Sequence, residues 1–198
     1  MRRMLAVLVS DSPGVLARVA GLFARRGFNI DSLAVGPADR PATSRMTIAF
    51  EGDDALAEQV SKQLYKLIDV YKVTDLRPDT AVTRELALIR VHCEPPRRPQ
   101  VAQLADLFRA HIVDVSKNSM VIEVSGTQEK VMALIHLLRD SGIKEIARTG
   151  PIALERGMVT GQTAEVTPLN VAAWSGDQER GRPTTTEKEL EHNGTRVL

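Results

Sequence analysis

Little in this chain is chemically reactive. One cysteine, Cys93, stands among 198 residues. That excludes an internal disulfide and suits a reducing compartment. The four histidines, at 92, 111, 136 and 192, are scattered, with no Cys or carboxylate at metal-ligand spacing, so no metal site is expected. Aromatics are 4% of the residues, too few for a base-stacking platform. Lys+Arg number 26 against 25 Asp+Glu, a balance that excludes a strongly basic nucleic-acid binder. No run approaches the ~18 apolar residues of a spanning helix. After the basic start Met1-Arg2-Arg3, the apolar run 4–9 stops at Ser10-Asp11-Ser12-Pro13 with no small-residue cleavage site, which argues against a secretory signal. No nucleophile–base pair or acid–base constellation is visible. The expectation is a cytoplasmic, non-catalytic protein that binds neither membrane nor nucleic acid.

What is present is rhythm. Residues 3–9 read as a strand. Ser12-Pro13 resembles an N-cap with proline at the first helical position. Leu16, Val19, Ala20 and Phe23 follow at helical spacing, and Gly27 ends that helix. Residues 28–35 read as a second strand, and Met46, Ile48 and Phe50 alternate in a third. Asp53-Asp54 caps a helix bearing Leu56, Val60, Leu64 and Leu67, and Val70, Val73 and Leu76 mark a fourth strand. The second half repeats the order. Residues 86–92 form a strand, and Val101, Leu104, Ala105 and Phe108 line a helix after Pro99. Strands 112–115 and 120–124 flank a turn at Lys117-Asn118-Ser119. Thr127 caps a helix bearing Val131, Leu134, Ile135 and Leu138, and 143–147 is the last strand.

The fold class is therefore α+β: two tandem βαββαβ, ferredoxin-like units, each a four-stranded antiparallel sheet with two helices on one face. The units are 1–78 and 79–157, divided near Leu76-Arg77-Pro78-Asp79-Thr80. A polar tail, 158–198, holds seven threonines, four glycines and two prolines, with four basic against six acidic residues. It reads as disordered or loosely ordered, with Trp174 its one candidate anchor on a partner. The open sheet faces and edges need covering, so association is expected.

This topology serves many functions, so the site must decide. A ferredoxin would need four cysteines. A small phosphatase would need an anion cradle with a polar catalytic set, which the second repeat lacks. What stands out is Asp11-Ser12-Pro13-Gly14-Val15-Leu16. A helix start presents free N–H groups and partial positive charge to a carboxylate. Glycine at 14 lets a ligand approach the backbone, and Asp11 offers an acceptor to an ammonium. Together these suit a free α-amino acid; a plain helix cap with a loop glycine is the alternative.

The same residues carry a resemblance. Residues 1–9, Gly14-Val15-Leu16-Ala17-Arg18-Val19-Ala20-Gly21-Leu22-Phe23, Arg26-Gly27-Phe28-Asn29-Ile30-Asp31-Ser32-Leu33, Ser44-Arg45-Met46-Thr47-Ile48 and Lys62-Gln63-Leu64-Tyr65-Lys66-Leu67 resemble the small, regulatory subunits of acetolactate synthase (acetohydroxyacid synthase). The likeness is close in the first repeat and looser through Arg148-Thr149-Gly150 and Arg156-Gly157. The resemblance implies an N-terminal ACT domain (1–78) that pairs with a second copy, and a C-terminal ferredoxin-like domain (79–157). It implies valine bound at the ACT pairing by Asp11, Gly14, Val15 and Leu16 of one chain with Asn29 and Ile30, on the second strand of the other. Asp11 stands where the family more often has Asn. A large catalytic subunit is the implied partner. It would carry thiamine diphosphate, FAD and Mg²⁺, leaving this chain no cofactor of its own, and would serve valine, leucine and isoleucine synthesis under valine feedback inhibition. A free-standing amino-acid-sensing ACT protein and a small enzyme of this topology are the competing classes.

Cys93, His111 and His136 read as ordinary structural residues. Arg25-Arg26 and Arg97-Arg98 read as solvated or as contacts to the catalytic subunit, and Arg45 as a candidate for pairing across an interface.

Overall fold

The structure is a computed structural model that describes residues 1–77 and 79–157, so the tail expected to be disordered or loosely ordered, with Trp174, lies outside the described residues. In the first half, β1 (Arg2–Ser10), α1 (Val15–Arg25), β2 (Ser32–Pro37), β3 (Thr43–Glu51), α2 (Asp54–Leu64) and β4 (Val70–Asp75) give a sheet ordered β2-β3-β1-β4. All pairs are antiparallel, and Arg2 lies opposite Glu51 in the β1–β3 register. Leu5, Val7 and Val9 alternate toward the helices and meet Val19, Phe23, Val60 and Leu64. Phe23 makes edge-on contacts with Phe28 and Phe50, ring centroids 6.2 Å apart in each pair, a favoured aromatic geometry.

In the second half, β5 (Ala81–His92), α3 (Arg98–Leu107), β6 (His111–Ser116), β7 (Ser119–Gly126), α4 (Gln128–Leu138), β8 (Ile143–Arg148) and β9 (Ile152–Glu155) repeat the plan. The order is β6-β7-β5-β8, with β9 added to β5. Asp53 and Thr127 cap their helices as the sequence predicts, accepting from Leu56 N at 2.8 Å and Lys130 N at 3.4 Å. Cys93 is a buried core residue. Arg98 donates to the carbonyls of Ser116 and Lys117 at 3.0 and 3.1 Å, holding the β6–β7 turn. Among the described residues no helix is long and apolar enough to cross a membrane.

Three features depart from the sequence reading. The second sheet has five strands, not four, because β5 extends back to Ala81 and pairs there with β9. That extension packs on the face of the first sheet away from its helices: Met4, Ala6 and Ala49 meet Leu76, Ala81 and Ala153. Arg45 seals the contact by donating to the Ala153 carbonyl at 3.0 Å. Part of the face expected to need an outside partner is thus covered from within the chain. Next, β2 begins at Ser32 rather than at 28. The Phe28 amide turns back to the Phe23 carbonyl at 3.0 Å as a helix ending, so Asn29 and Ile30 precede the strand. Last, Ser12 is not the cap of α1. Val15 N bonds Ser12 O at 3.3 Å, and Gly14 has φ 86° and ψ −8°. Those are the hydrogen bond and the third-position dihedrals of a type II turn, with proline at the second position. Gly14, not Ser12, is the N-cap residue.

Gly150 secures the junction of the two sheets. It has φ +73°, and a Cβ there would stand 1.8 Å from Ser32 Oγ. Gly150→Ala therefore meets a left-handed backbone penalty of about 1–2 kcal/mol in addition to the collision. The expected result is a lower thermal midpoint. Adding Ser32→Ala should recover only the part due to the hydroxyl, since Ser32 Cβ would still be 3.1 Å away.

Candidate functional site

The turn that ends β1 delivers four of the six predicted residues to one place. Asp11 is exposed; its amide donates to Ala42 O at 2.9 Å, and its Oδ1 accepts from Ser44 Oγ at 3.1 Å. Ser12 Oγ lies 2.7 Å from Ser10 Oγ, so it is engaged away from the helix. Gly14 carries no side chain, and α1 has no side-chain cap hydrogen bond. The N–H groups of Leu16 and Ala17 occupy the second and third helical positions, which have no partner inside a helix. They form an uncapped, positively polarised start, with Asp11 close by in sequence. Arg18 lies beside it, paired with a carboxylate: its Nε donates to Asp69 at 2.7 Å, and its Nη1 would lie 3.1 Å from a Cβ on Gly14.

The six residues are not equivalent. Val15 is 3% exposed and belongs to the core, so only its backbone is free to face a ligand. Leu16 is 46% exposed. Asn29 is exposed and donates to Asp31 at 3.1 Å, while Ile30 packs partly against the core. Asn29 and Ile30 follow the far end of the 11-residue α1. At 1.5 Å per residue that is roughly 16 Å from Gly14. One chain therefore keeps the two halves of the predicted pocket apart.

A residue set that sequence reasoning missed lies between the sheets. A cleft of about 560 Å³ is lined by Arg2, Asp31, Glu51, Arg148 and their neighbours. On its floor Glu85, 2% exposed, is gripped by Arg148 through Nε at 2.5 Å and Nη2 at 2.9 Å. That hydrogen bond raises the Arg148 pKa above its ordinary value, against the desolvation that lowers it. The one sequence signal for this pair is an acidic residue within the β5 run, since Glu is rarely buried unless paired.

Comparison with known proteins decides the family. A family model described as "Small subunit of acetolactate synthase" matches residues 84–157, and one described as "AHAS small subunit-like ACT domain" matches residues 5–72. The chain belongs to the acetolactate synthase small-subunit family. It is 57% identical over 157 residues to a "Probable acetolactate synthase small subunit" of Archaeoglobus fulgidus, covering 79% of this chain and 98% of that one. It is 51% identical over 153 residues to the "Acetolactate synthase small subunit" of Mycolicibacterium smegmatis, covering 77% and 90%. The crystal structure of the acetolactate synthase small subunit from Thermotoga maritima superposes with a TM-score of 0.76 at 44% identity, covering 80% of this chain and 99% of that one. Membership makes this chain a small, regulatory subunit in branched-chain amino-acid biosynthesis and implies a large catalytic partner.

Proposed function

We propose that this small subunit carries no catalysis itself, binds and activates the thiamine-dependent catalytic subunit, and confers feedback inhibition by valine. Residues 1–78 act as the amino-acid-binding and pairing ACT domain, residues 79–157 as the second ferredoxin-like domain, and 158–198 as a tail outside both. The protein works in the cytoplasm, and thiamine diphosphate, FAD and Mg²⁺ reside on the catalytic partner. The observation that carries the effector reading is the α1 start: a left-handed glycine at the N-cap and no side chain on the free amides. A valine carboxylate accepts from those amides, and Asp11 accepts from its ammonium. Because Asn29 and Ile30 stand a helix length away in the same chain, a second copy supplies them, and the effector holds the homodimer together.

The test is reconstitution. The purified chain should form no acetolactate from pyruvate. Added to the catalytic subunit it should raise the rate, since binding that favours the active conformation shifts the population toward it, and valine should then lower that rate. Turnover by the chain alone, or an unchanged rate with both subunits present, overturns the reading.

A further inference from the structure

The geometry points to a second small-molecule site, for a free zwitterionic amino acid, in the cleft where the start of β2 faces the β8–β9 loop. It is separate from the α1 start and does not depend on it.

The cleft, about 560 Å³, falls within the range of small-molecule sites, ~300–1,000 Å³. It is built rather than incidental. Gly150 brings the β8–β9 loop against Ser32 to form one wall, and the Arg148–Glu85 pair, already neutral, forms the floor. Against that neutral floor three charges stand out. Arg2 makes no ion pair within 4.0 Å among the described residues, although Glu51 lies opposite it in register. Its Nε is buried without an acceptor, and buried donors without a partner are rare in native proteins. Asp31 and Glu51 are exposed at the lip; among the described residues Asp31 receives only the Asn29 amide, and Glu51 has no side-chain hydrogen bond. A purely anionic ligand would meet these two carboxylates, and a purely cationic one would meet Arg2. A ligand with both charges satisfies all three. Its carboxylate accepts from the terminal Nη–H groups of the Arg2 guanidinium, its ammonium donates to Asp31 or Glu51, and Leu33 and Pro151 offer apolar contact to its side chain.

The test uses the full chain. Each of the proteinogenic L-amino acids is presented to wild-type and Gly14→Asp protein in saturation-transfer NMR, and any binder is titrated by calorimetry. The expected result is at least one amino acid that binds Gly14→Asp protein with wild-type affinity. Arg2→Gln should weaken it at least tenfold, the loss of one charge-assisted hydrogen bond. Glu51→Gln, at an exposed position with no side-chain hydrogen bond to lose, should weaken it in the same direction and guards against a folding defect in the Arg2 variant. No binder to Gly14→Asp protein, or binding that survives both substitutions, overturns the proposal. Binding abolished by Asn29→Ala but untouched by Arg2→Gln also overturns it, because that ligand sits at the α1 start. The activation assay of the reconstituted enzyme is independent of all these outcomes.

Discussion

Gly14→Asp should cut valine affinity at least tenfold while leaving the fold intact. The native residue holds φ 86°, a region that Asp and Asn tolerate better than other non-glycine residues. The new carboxylate stands beside the free amides at the start of α1 and takes the place proposed for the ligand carboxylate. Losing one charge-assisted hydrogen bond costs about 1.5–3 kcal/mol, and 1.4 kcal/mol is one decade of affinity; like-charge repulsion adds to that. The thermal midpoint should fall modestly, because an L residue at φ 86° is strained by about 1–2 kcal/mol and its Cβ would stand 3.1 Å from Arg18 Nη1. Asn29→Ala should weaken valine from the opposing chain with no change at the helix start. Coupling between sites is reciprocal, so a variant that no longer binds valine must also lose valine's effect on the catalytic subunit while still activating it. The measurements are valine calorimetry and inhibition of the reconstituted enzyme, side by side. Unaltered valine binding by Gly14→Asp would place the effector elsewhere.

Arg148→Ala should be the most destabilising single change at the sheet junction. It strands the Glu85 carboxylate, whose side chain is 1% exposed. Breaking a buried pair from one side costs about 3–5 kcal/mol. The Arg148 side chain is 33% exposed, so water reaches the vacated position and the lower end applies, about 3 kcal/mol. Glu85→Leu with Arg148→Met should recover most of it, because apolar replacement of both partners leaves no charge uncompensated. Urea denaturation at pH 7 checks this; a loss under 1 kcal/mol in Arg148→Ala would show that the pair contributes little.

The doubled βαββαβ plan was legible because the core positions keep their periods. Leu5, Val7 and Val9 alternate, and Val131, Leu134, Ile135 and Leu138 recur at helical spacing. The start of β2 was misplaced because Phe28 and Ile30 are apolar at alternate positions for a different reason: from the coil that follows α1 they pack, partly buried, against the first core. The β9 strand was missed because it is four residues long and its outward side chains, Ile152 and Leu154, are 56% and 63% exposed. A clue was available nonetheless. Residues 4–7, Met-Leu-Ala-Val, are apolar without alternation and buried on both faces, and such a run signals two covered sides. At the α1 start, Ser12-Pro13 fits a cap and a type II turn equally well until Gly14 is seen to take positive φ. The uncapped amides and the gap between Gly14 and Asn29 are three-dimensional facts with no sequence signature.

The twelve-residue β5 is a single rod belonging to both halves of the molecule. At ~3.4 Å per residue it spans about 40 Å. One end is anchored in the second core by Ala87, Ile89 and Val91, and the other lies on the first sheet through Ala81. The halves are thus splinted rather than strung. Cutting the chain between β4 and β5 would not release two independent modules. It would lay bare the alanine-lined seam of Ala6 and Ala49 on one piece and of Ala81 and Ala153 on the other, and both pieces would become adhesive.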